Sequence, residues 1–441
     1  MIHDPRELVA LLHAGPTRLV FEFAGAGASA LALLHAVGGS SRTVLEATDR
    51  YAAGSLAEAL GWSPAQAVSA DVAAALALRA RARAGALAPA GESVAGVGLT
   101  ATIATERAKR GEHRVWVAAA DGLAVRLAGL VLRKGARDRD GEEDVVARLA
   151  LRAMAEAKGV LRDLELPLLE GEASETALRP GPELADFAAG GRDVVAIDAA
   201  GRCVEALPWP AASAREIARA ERLARAADDV TPVPVGALVG AAPVPPVPVG
   251  ALVGAAPVPP VPVGALVSGA FHPLHDGHLG LAAAAGRHLG RPVAFELAVA
   301  NADKPTIPLG EAHRRAAQFA GRAPLLLTRA ARFDEKARLL PGTVFVLGVD
   351  TAARVLEARF YDGPDGLDAA MAAVRAAGGR FLVAGRRSER GFLTLADLDV
   401  PAAHADLFEA LPAAAFRADV SSSSIRSAWT AADAERPTLS E

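Results

Sequence analysis

Two histidines carry the clearest chemistry in this chain. His275 and His278 lie in the stretch Ser268-Gly269-Ala270-Phe271-His272-Pro273-Leu274-His275-Asp276-Gly277-His278. The apolar run Ala265–Val267 precedes it, and a helical run from Leu279 to Ala285 follows. The pattern reads as strand, small-residue turn and helix start. At such a junction backbone N–H groups point outward, and the helix dipole favours an anion. Ser268, Gly269, Ala270 and Phe271 would form the cradle, and Gly269 and Gly277 leave room for a phosphate near the backbone. Two imidazoles on the first helical turn face one way and can donate hydrogen bonds to a phosphate under attack. Taken alone, the pair also fits surface or metal-binding histidines; the flanking strand and helix, with a second motif, argue for phosphate chemistry.

That second motif is Val420-Ser421-Ser422-Ser423-Ser424-Ile425-Arg426. Ser422 and Ser423 can cap a helix and donate to phosphate oxygens, and Arg426 adds a planar charged fork one turn in. Lys304, in Asn301-Ala302-Asp303-Lys304-Pro305, follows the second candidate strand of this region, and Gly348-Val349-Asp350 ends the fourth. Arg386 and Arg387, after the fifth, are weaker candidates.

The stretch SGAFHPLHDGH resembles the GxFxPxHxGH signature of the nucleotidylyltransferase superfamily, and VSSSSIR resembles its ISSTxIR signature. The likeness runs from about Val261 to Trp429, with departures at Ala270 (Ser is common there), His272 (Asn or Asp) and Ser423 (Thr). The resemblance implies transfer of a nucleotidyl group: a phosphate monoester attacks the α-phosphorus of a nucleoside triphosphate and pyrophosphate leaves. It gives His275 and His278 the reacting and bridging phosphates, Ser422, Ser423 and Arg426 the departing pyrophosphate, and Lys304 the acceptor phosphate. Gly348 and Asp350 look like the GxD that contacts the nucleotide in pyridine-nucleotide adenylyltransferases. The implied partners are ATP with Mg²⁺ and a phosphorylated small-molecule acceptor, first of all nicotinamide or nicotinate mononucleotide. Phosphopantetheine, glycerol phosphate or FMN as acceptor, CTP as donor, or a catalytically silent nucleotide-binding scaffold remain alternatives.

Candidate strands at Ala265–Val267, Val293–Val299, Leu325–Thr328, Val344–Val349 and Phe381–Ala384 alternate with helical runs. Such alternation predicts a doubly wound, Rossmann-like parallel sheet with the site at the carboxyl ends of its strands. Residues 1–160 also read as α/β, beginning with the strand Leu19–Phe23, the small-residue turn Ala24–Ser29 and the helix Ala30–Ala36. Arg79, Arg81 and Arg83 read as the solvated face of a helix from Ala70 to Ala84.

This first unit resembles the C-terminal domain of CinA, whose active members are nicotinamide mononucleotide amidases, in GGSSRTVLEATDRY (38–51), QAVSADVAAALA (66–77) and GVGLTATIATERAKRGEHRVWVA (96–118). The amidases place a nucleophilic Ser in an ESCTGG turn. Counting back from GGSS, Ala24 stands at that Ser and Phe23 at its Glu; a one-residue gap restores Glu22 but puts Phe23 at the Ser. Tyr51 is retained, whereas Ala53 and Leu56 replace the Asn and Lys of the family's YSNEAK motif. Ser29 could substitute only if the alignment slips further. The expectation is a fold kept without amidase chemistry, leaving nucleotide binding or a contact in a homo-oligomer as its roles.

The organisation expected is 1–160, a connector 161–230 with a hairpin at Val194–Val204 and a charged helix Ala212–Ala227, a repeat linker 231–259, a second unit 260–430 and a tail 431–441. In the linker PVPVGALVGAAPVP begins at Pro232 and again at Pro246, and a third copy begins at Pro260 and runs into the histidine motif, so only that copy can supply the strand. The run Val230–Phe271 has no charged residue, but its prolines forbid a regular membrane helix. With 441 residues, 51% hydrophobic and 22% charged, the chain can bury two cores. A net charge of −4 gives no electrostatic case for nucleic acid or an acidic membrane. The single cysteine, Cys203, reads as a small buried residue and excludes an intrachain disulfide. That cysteine usage and an acid-bearing amphipathic start, unlike a signal peptide, suggest the cytoplasm.

Overall fold

The computed structural model describes residues 1–106, 111–208, 260–300, 305–388, 391–417 and 427. The first unit is a six-stranded mixed sheet of β1 (Arg18–Ala24), β2 (Val44–Asp49), β3 (Val94–Thr102), β4 (His113–Ala120), β5 (Ala124–Leu132) and β6 (Ser174–Pro180). The order is β2-β1-β3-β4-β5-β6, parallel through β3 and antiparallel beyond it. Of its helices, α1 (Pro5–Ala14), α2 (Ala28–Ala36) and α5 (Arg139–Ala157) close one face over Phe21, Val97 and Val117. On the other face α3 (Ala53–Leu60) packs beside α4 (Ala70–Leu87), which lies over β1, β3 and β4.

α4 lies unusually close to the sheet. A Cβ on Gly96 would stand 2.0 Å from the backbone nitrogen of Arg81, and one on Gly98 2.4 Å from the carbonyl of Ala73. This close approach corrects the expectation that Arg79, Arg81 and Arg83 are simply solvated. Arg79, with Arg50, neutralises Glu22, a fully buried carboxylate in β1. Arg83 pairs with Glu46 at 2.7 Å, and burial lowers the pKa of Arg81. A helix pressed onto a sheet turns its arginines toward the sheet's acids.

After β6 come α6 (Pro182–Ala189), β7 (Val194–Ile197), β8 (Cys203–Val204) and β9 (Ala206–Pro208). The stretch expected to be a connector is thus built into both units: β6 completes the first sheet, and the β7–β8 hairpin extends the second. The upstream repeats and the helix expected at Ala212–Ala227 lie outside the described residues.

The third repeat supplies β10 (Val261–Val263), paired with β9, and β11 (Ala265–Ser268). Then follow α7 (Asp276–Leu289), β12 (Val293–Ala298), α8 (Leu309–Ala317), β13 (Leu325–Thr328), α9 (Phe333–Leu339), β14 (Val344–Gly348), α10 (Val349–Val355), α11 (Pro364–Ala376), β15 (Arg380–Ala384), the hairpin β16 (Arg386–Ser388) and β17 (Gly391–Leu393), and β18 (Phe408–Leu411). The second sheet runs β18-β15-β14-β11-β12-β13-β7-β8; its first six strands are parallel and apolar clusters cover both faces. The chain starts at β11, winds outward to β13, returns to β14 and winds the other way. This is the doubly wound order, and its direction reverses between β11 and β14. Both units are therefore α/β. Among the described residues no helix is long and apolar enough to cross a membrane.

Candidate active site

The histidine motif leaves the carboxyl end of β11, at the point where the winding reverses. Val267 pairs with Val346 in β14, so Ser268 and Gly348 emerge side by side at one edge of the sheet. In open α/β sheets this crevice is where ligands bind.

Phe271 fixes the turn. Its φ of 46° is left-handed, a conformation that costs a bulky residue energy unless its surroundings enforce it. They do: the ring is 1% exposed, edge-on to Phe295 at 5.5 Å, Phe319 at 5.0 Å and His278 at 5.1 Å. Gly269 serves this packing. A Cβ there would stand 2.8 Å from the Phe271 ring, so the glycine makes room for the aromatic anchor. The following His272–Pro273 peptide is cis.

His275 is the N-cap of α7 and His278 lies in its first turn; their rings stack with centroids 3.8 Å apart. The backbone N–H of His275 donates to Nδ1 of His278 at 3.3 Å. That contact makes Nδ1 the acceptor, which assigns the proton of the neutral ring to Nε2 and makes Nε2–H its donor. Burial, and then the neighbouring His275, depress the His278 pKa to about 4, so the ring is neutral at pH 7. Burial also lowers that of His275, opposed by Asp276. Nδ1 of His275 and Oγ of Ser268 are buried without a hydrogen-bond partner among the described residues. Buried polar atoms are normally hydrogen-bonded, so these two leave bonding capacity in the turn.

A second element, missed in the sequence, holds the turn from behind. Gln318, the C-cap of α8, accepts from Leu274 N–H at 2.8 Å through Oε1 and donates to the Phe271 carbonyl at 2.8 Å through Nε2. Arg315 donates to the Ala270 carbonyl at 3.2 Å and pairs with Glu311, which faces His272 Nδ1 at 3.1 Å. His272 thus faces a carboxylate on α8. A run of Arg-Arg-Ala-Ala-Gln gives no hint that its glutamine is aimed at another loop.

Gly348 is the N-cap of α10, and Asp350, in its first turn, forms an ion pair with Arg386. Both lie at the same sheet edge as the histidines, across the reversal. Glu296, fully buried in β12 and level with Ser268, is bonded by Thr328 and by Lys336 Nζ at 2.9 Å. Lys304, Ser422, Ser423 and Arg426 lie outside the described residues. Phe416, upstream of the serines in sequence, packs where Gly280 of the histidine helix leaves space.

In the first unit, Ala24 ends β1 and is buried, and Tyr51 is exposed. The amino end of α2 is already filled, because Gly27 N–H and Ser29 N–H donate to the Glu143 carboxylate at 2.9 and 3.0 Å. Burial and the nearby Glu143 raise the pKa of Asp49.

No family model matches the chain, and no curated protein matches it. Among solved structures it is similar to the competence/damage-inducible protein CihA from Agrobacterium tumefaciens, at 19% identity over 34% of this chain and 94% of that one, TM-score 0.27. It is also similar to a CinA superfamily protein from Escherichia coli, at 20% identity over 34% and 88%, TM-score 0.28. A third is ComA from Klebsiella pneumoniae, at 19% identity over 35% and 96%, TM-score 0.28. Scores of this size carry no functional argument, and what the chain does has to be read from its own residues.

Proposed function

We propose that the second unit is a nucleotidylyltransferase that joins a nucleoside triphosphate, first of all ATP, to a phosphorylated acceptor, with nicotinamide or nicotinate mononucleotide the leading candidate. One observation carries this reading. Two stacked imidazoles, that of His278 neutral, sit at the helix start beyond the first strand, where the doubly wound sheet reverses, beside the Ser268 Oγ, which is buried without a hydrogen-bond partner among the described residues. In the reaction an acceptor phosphate oxygen forms a bond to the α-phosphorus, the bond to the β-phosphate bridging oxygen breaks, and pyrophosphate takes the electron pair. The attacking oxygen is already anionic, so the chain has to position the phosphates and stabilise charge. Nε2–H of His278 is the donor suited to that. Magnesium enters with the triphosphate, as part of the substrate. Phosphate oxygens and water would hold that ion. The pyridine acceptor rests on the Gly348-Val349-Asp350 and Asn301–Pro305 resemblances and on the company of the CinA-like unit.

For the first unit we propose no amidase activity. A buried Ala24 cannot attack a carboxamide, and the helix start beside it is capped by Glu143.

One experiment addresses both. The full chain is incubated with each of four nucleoside triphosphates and a panel of acceptors (both mononucleotides, phosphopantetheine, glycerol phosphate and FMN), and pyrophosphate and ammonia are measured. Pyrophosphate with ATP and a pyridine mononucleotide, and no ammonia, is the expected result. Turnover of phosphopantetheine alone would sink the pyridine assignment. Binding of ATP with no pyrophosphate from any pairing would make the unit a silent nucleotide-binding module.

A further inference from the structure

A groove of about 770 Å³ opens between the two units, and its lining includes neither His275 nor His278 nor the turn Ala24–Ser29. Its first-unit wall comes from the end of α1 and the starts of the strands: His13, Gly15, Arg18 and Arg42. Arg18 opens β1, whereas Ala24 closes it, so this wall lies at the opposite end of the sheet from the amidase-like turn. The second-unit wall includes Leu279, one residue past His278, and Arg322, in the turn after Gln318.

The charged side chains on these walls are all basic. Arg42 donates through Nε to the His13 carbonyl at 3.1 Å, and its only partner among the described residues is that neutral oxygen. Arg322 has no side-chain partner among them, while Arg18 reaches Glu92 at 3.4 Å. Lys158 lies just beneath the floor, within van der Waals reach of where a Gly15 side chain would begin, and donates to the Gly15 carbonyl. Its pKa is depressed to about 7, by burial first and then by Arg18. Burial is likewise the main cause that lowers the pKa of His13; the Leu34 carbonyl opposes it, and Lys158 and Arg42 add to it. Two guanidiniums without carboxylates, facing one groove from two units, make a fork that a phosphate can bridge. Ala14, Pro16 and Leu279 supply apolar surface beside it. The volume falls in the range of small-molecule sites.

We infer that this groove binds a phosphomonoester carrying a flat or apolar body, of nucleoside monophosphate size, with the phosphate between Arg42 and Arg322. Such a ligand bridges the units and touches the turn that follows Gln318, so its occupancy stiffens the support of the histidine loop. The inference does not depend on nucleotidylyl transfer.

The test is titration calorimetry of the full chain with adenosine monophosphate, paired with melting curves at the same concentrations. Saturable binding and a rise in Tm are expected. Binding should weaken about tenfold in Arg42→Gln and in Arg322→Gln, and about a hundredfold in the double variant, while remaining in His278→Ala. No saturable binding would overturn the inference. So would binding unmoved by the arginine changes, or binding lost in His278→Ala alone, which would assign the nucleotide to the histidine site. Should the double variant melt early, Ser41→Trp fills the groove without altering its charge; undiminished binding in that variant would also overturn the proposal.

Discussion

At the scale of single residues, the informative fact is that His278 is neutral. An imidazolium beside a triphosphate would bind the ground state tightly. In the proposed reaction a neutral ring with its proton on Nε2 would instead give one directed hydrogen bond, whose value would rise as charge builds in the transition state. Replacing His278 by Ala should therefore lower kcat roughly 10²–10³-fold with little change in the KM for ATP. Wild-type kcat in a folded variant would remove this site from the chemistry. The same residue makes a pH prediction. Its folded pKa, about 4, lies below the ordinary 6.5, so between those values the unfolded chain holds the extra proton. Stability must then fall as pH drops through that window. The melting-temperature advantage of wild type over His278→Asn should shrink between pH 7 and pH 4.5. An advantage that stays constant or grows would mean that burial does not depress this ring.

At the scale of elements, α8 is the support of the site. It reaches the histidine loop through Gln318, Arg315 and Glu311, and Gln318 alone satisfies one N–H and one carbonyl of that loop. Gln318→Ala leaves both groups without that partner, at a cost of about 1–3 kcal/mol in stability. In the proposed reaction Gln318 would be a positioning residue, acting through the histidine loop that it holds. Its loss should lower kcat about tenfold with KM for ATP nearly unchanged, and Gln318→Glu, which can accept from Leu274 but not donate to Phe271, should recover part of it. A variant with lowered Tm and unchanged kcat would make the contact merely structural. His272→Asn should keep activity within a few-fold, since His272 reaches α8 through Glu311.

At the scale of the molecule, the two units are joined by more than a linker. Asp121 of the first faces His313 of α8 at 2.8 Å; Arg126 donates to the Gly310 carbonyl at 2.6 Å; Arg314 pairs with Asp163 at 3.1 Å. Burial works against charge on Asp121, yet His313 and the N–H groups of Leu123 and Ala124 hold its carboxyl below the usual range. Asp121→Ala leaves a buried His313 without this partner and should cost about 1–3 kcal/mol. Since His313 sits on the helix that carries the clamp, kcat should fall as well. A variant that keeps both its Tm and its kcat would show that the junction does not support the site. The second sheet also takes β7 from before the repeat, paired with β13. A fragment starting at residue 260 exposes that strand edge and should aggregate or melt well below a fragment starting at Gly181. Equal melting of the two would show the hairpin to be dispensable.

The sequence alone determined the α/β alternation of both units, the strand that carries the histidines and the helix they open. These are local: period, turn residues and caps are written within some ten neighbouring positions. It could also exclude the upstream repeats from that strand, because only the copy at Pro260 runs into the motif. It could not show that Arg79 and Arg83 answer acids in β1 and β2, that Glu143 fills the amino end of α2, or that Gln318 grips the histidine turn. Each of those contacts joins residues distant in the chain, and a glutamine or glutamate aimed inward has the same letter as one in water. Nor could it set the order of the strands. The place where the winding reverses, which brings Ser268 beside Gly348, comes from how β11 and β14 pair across the intervening elements, and only the tertiary structure decided that.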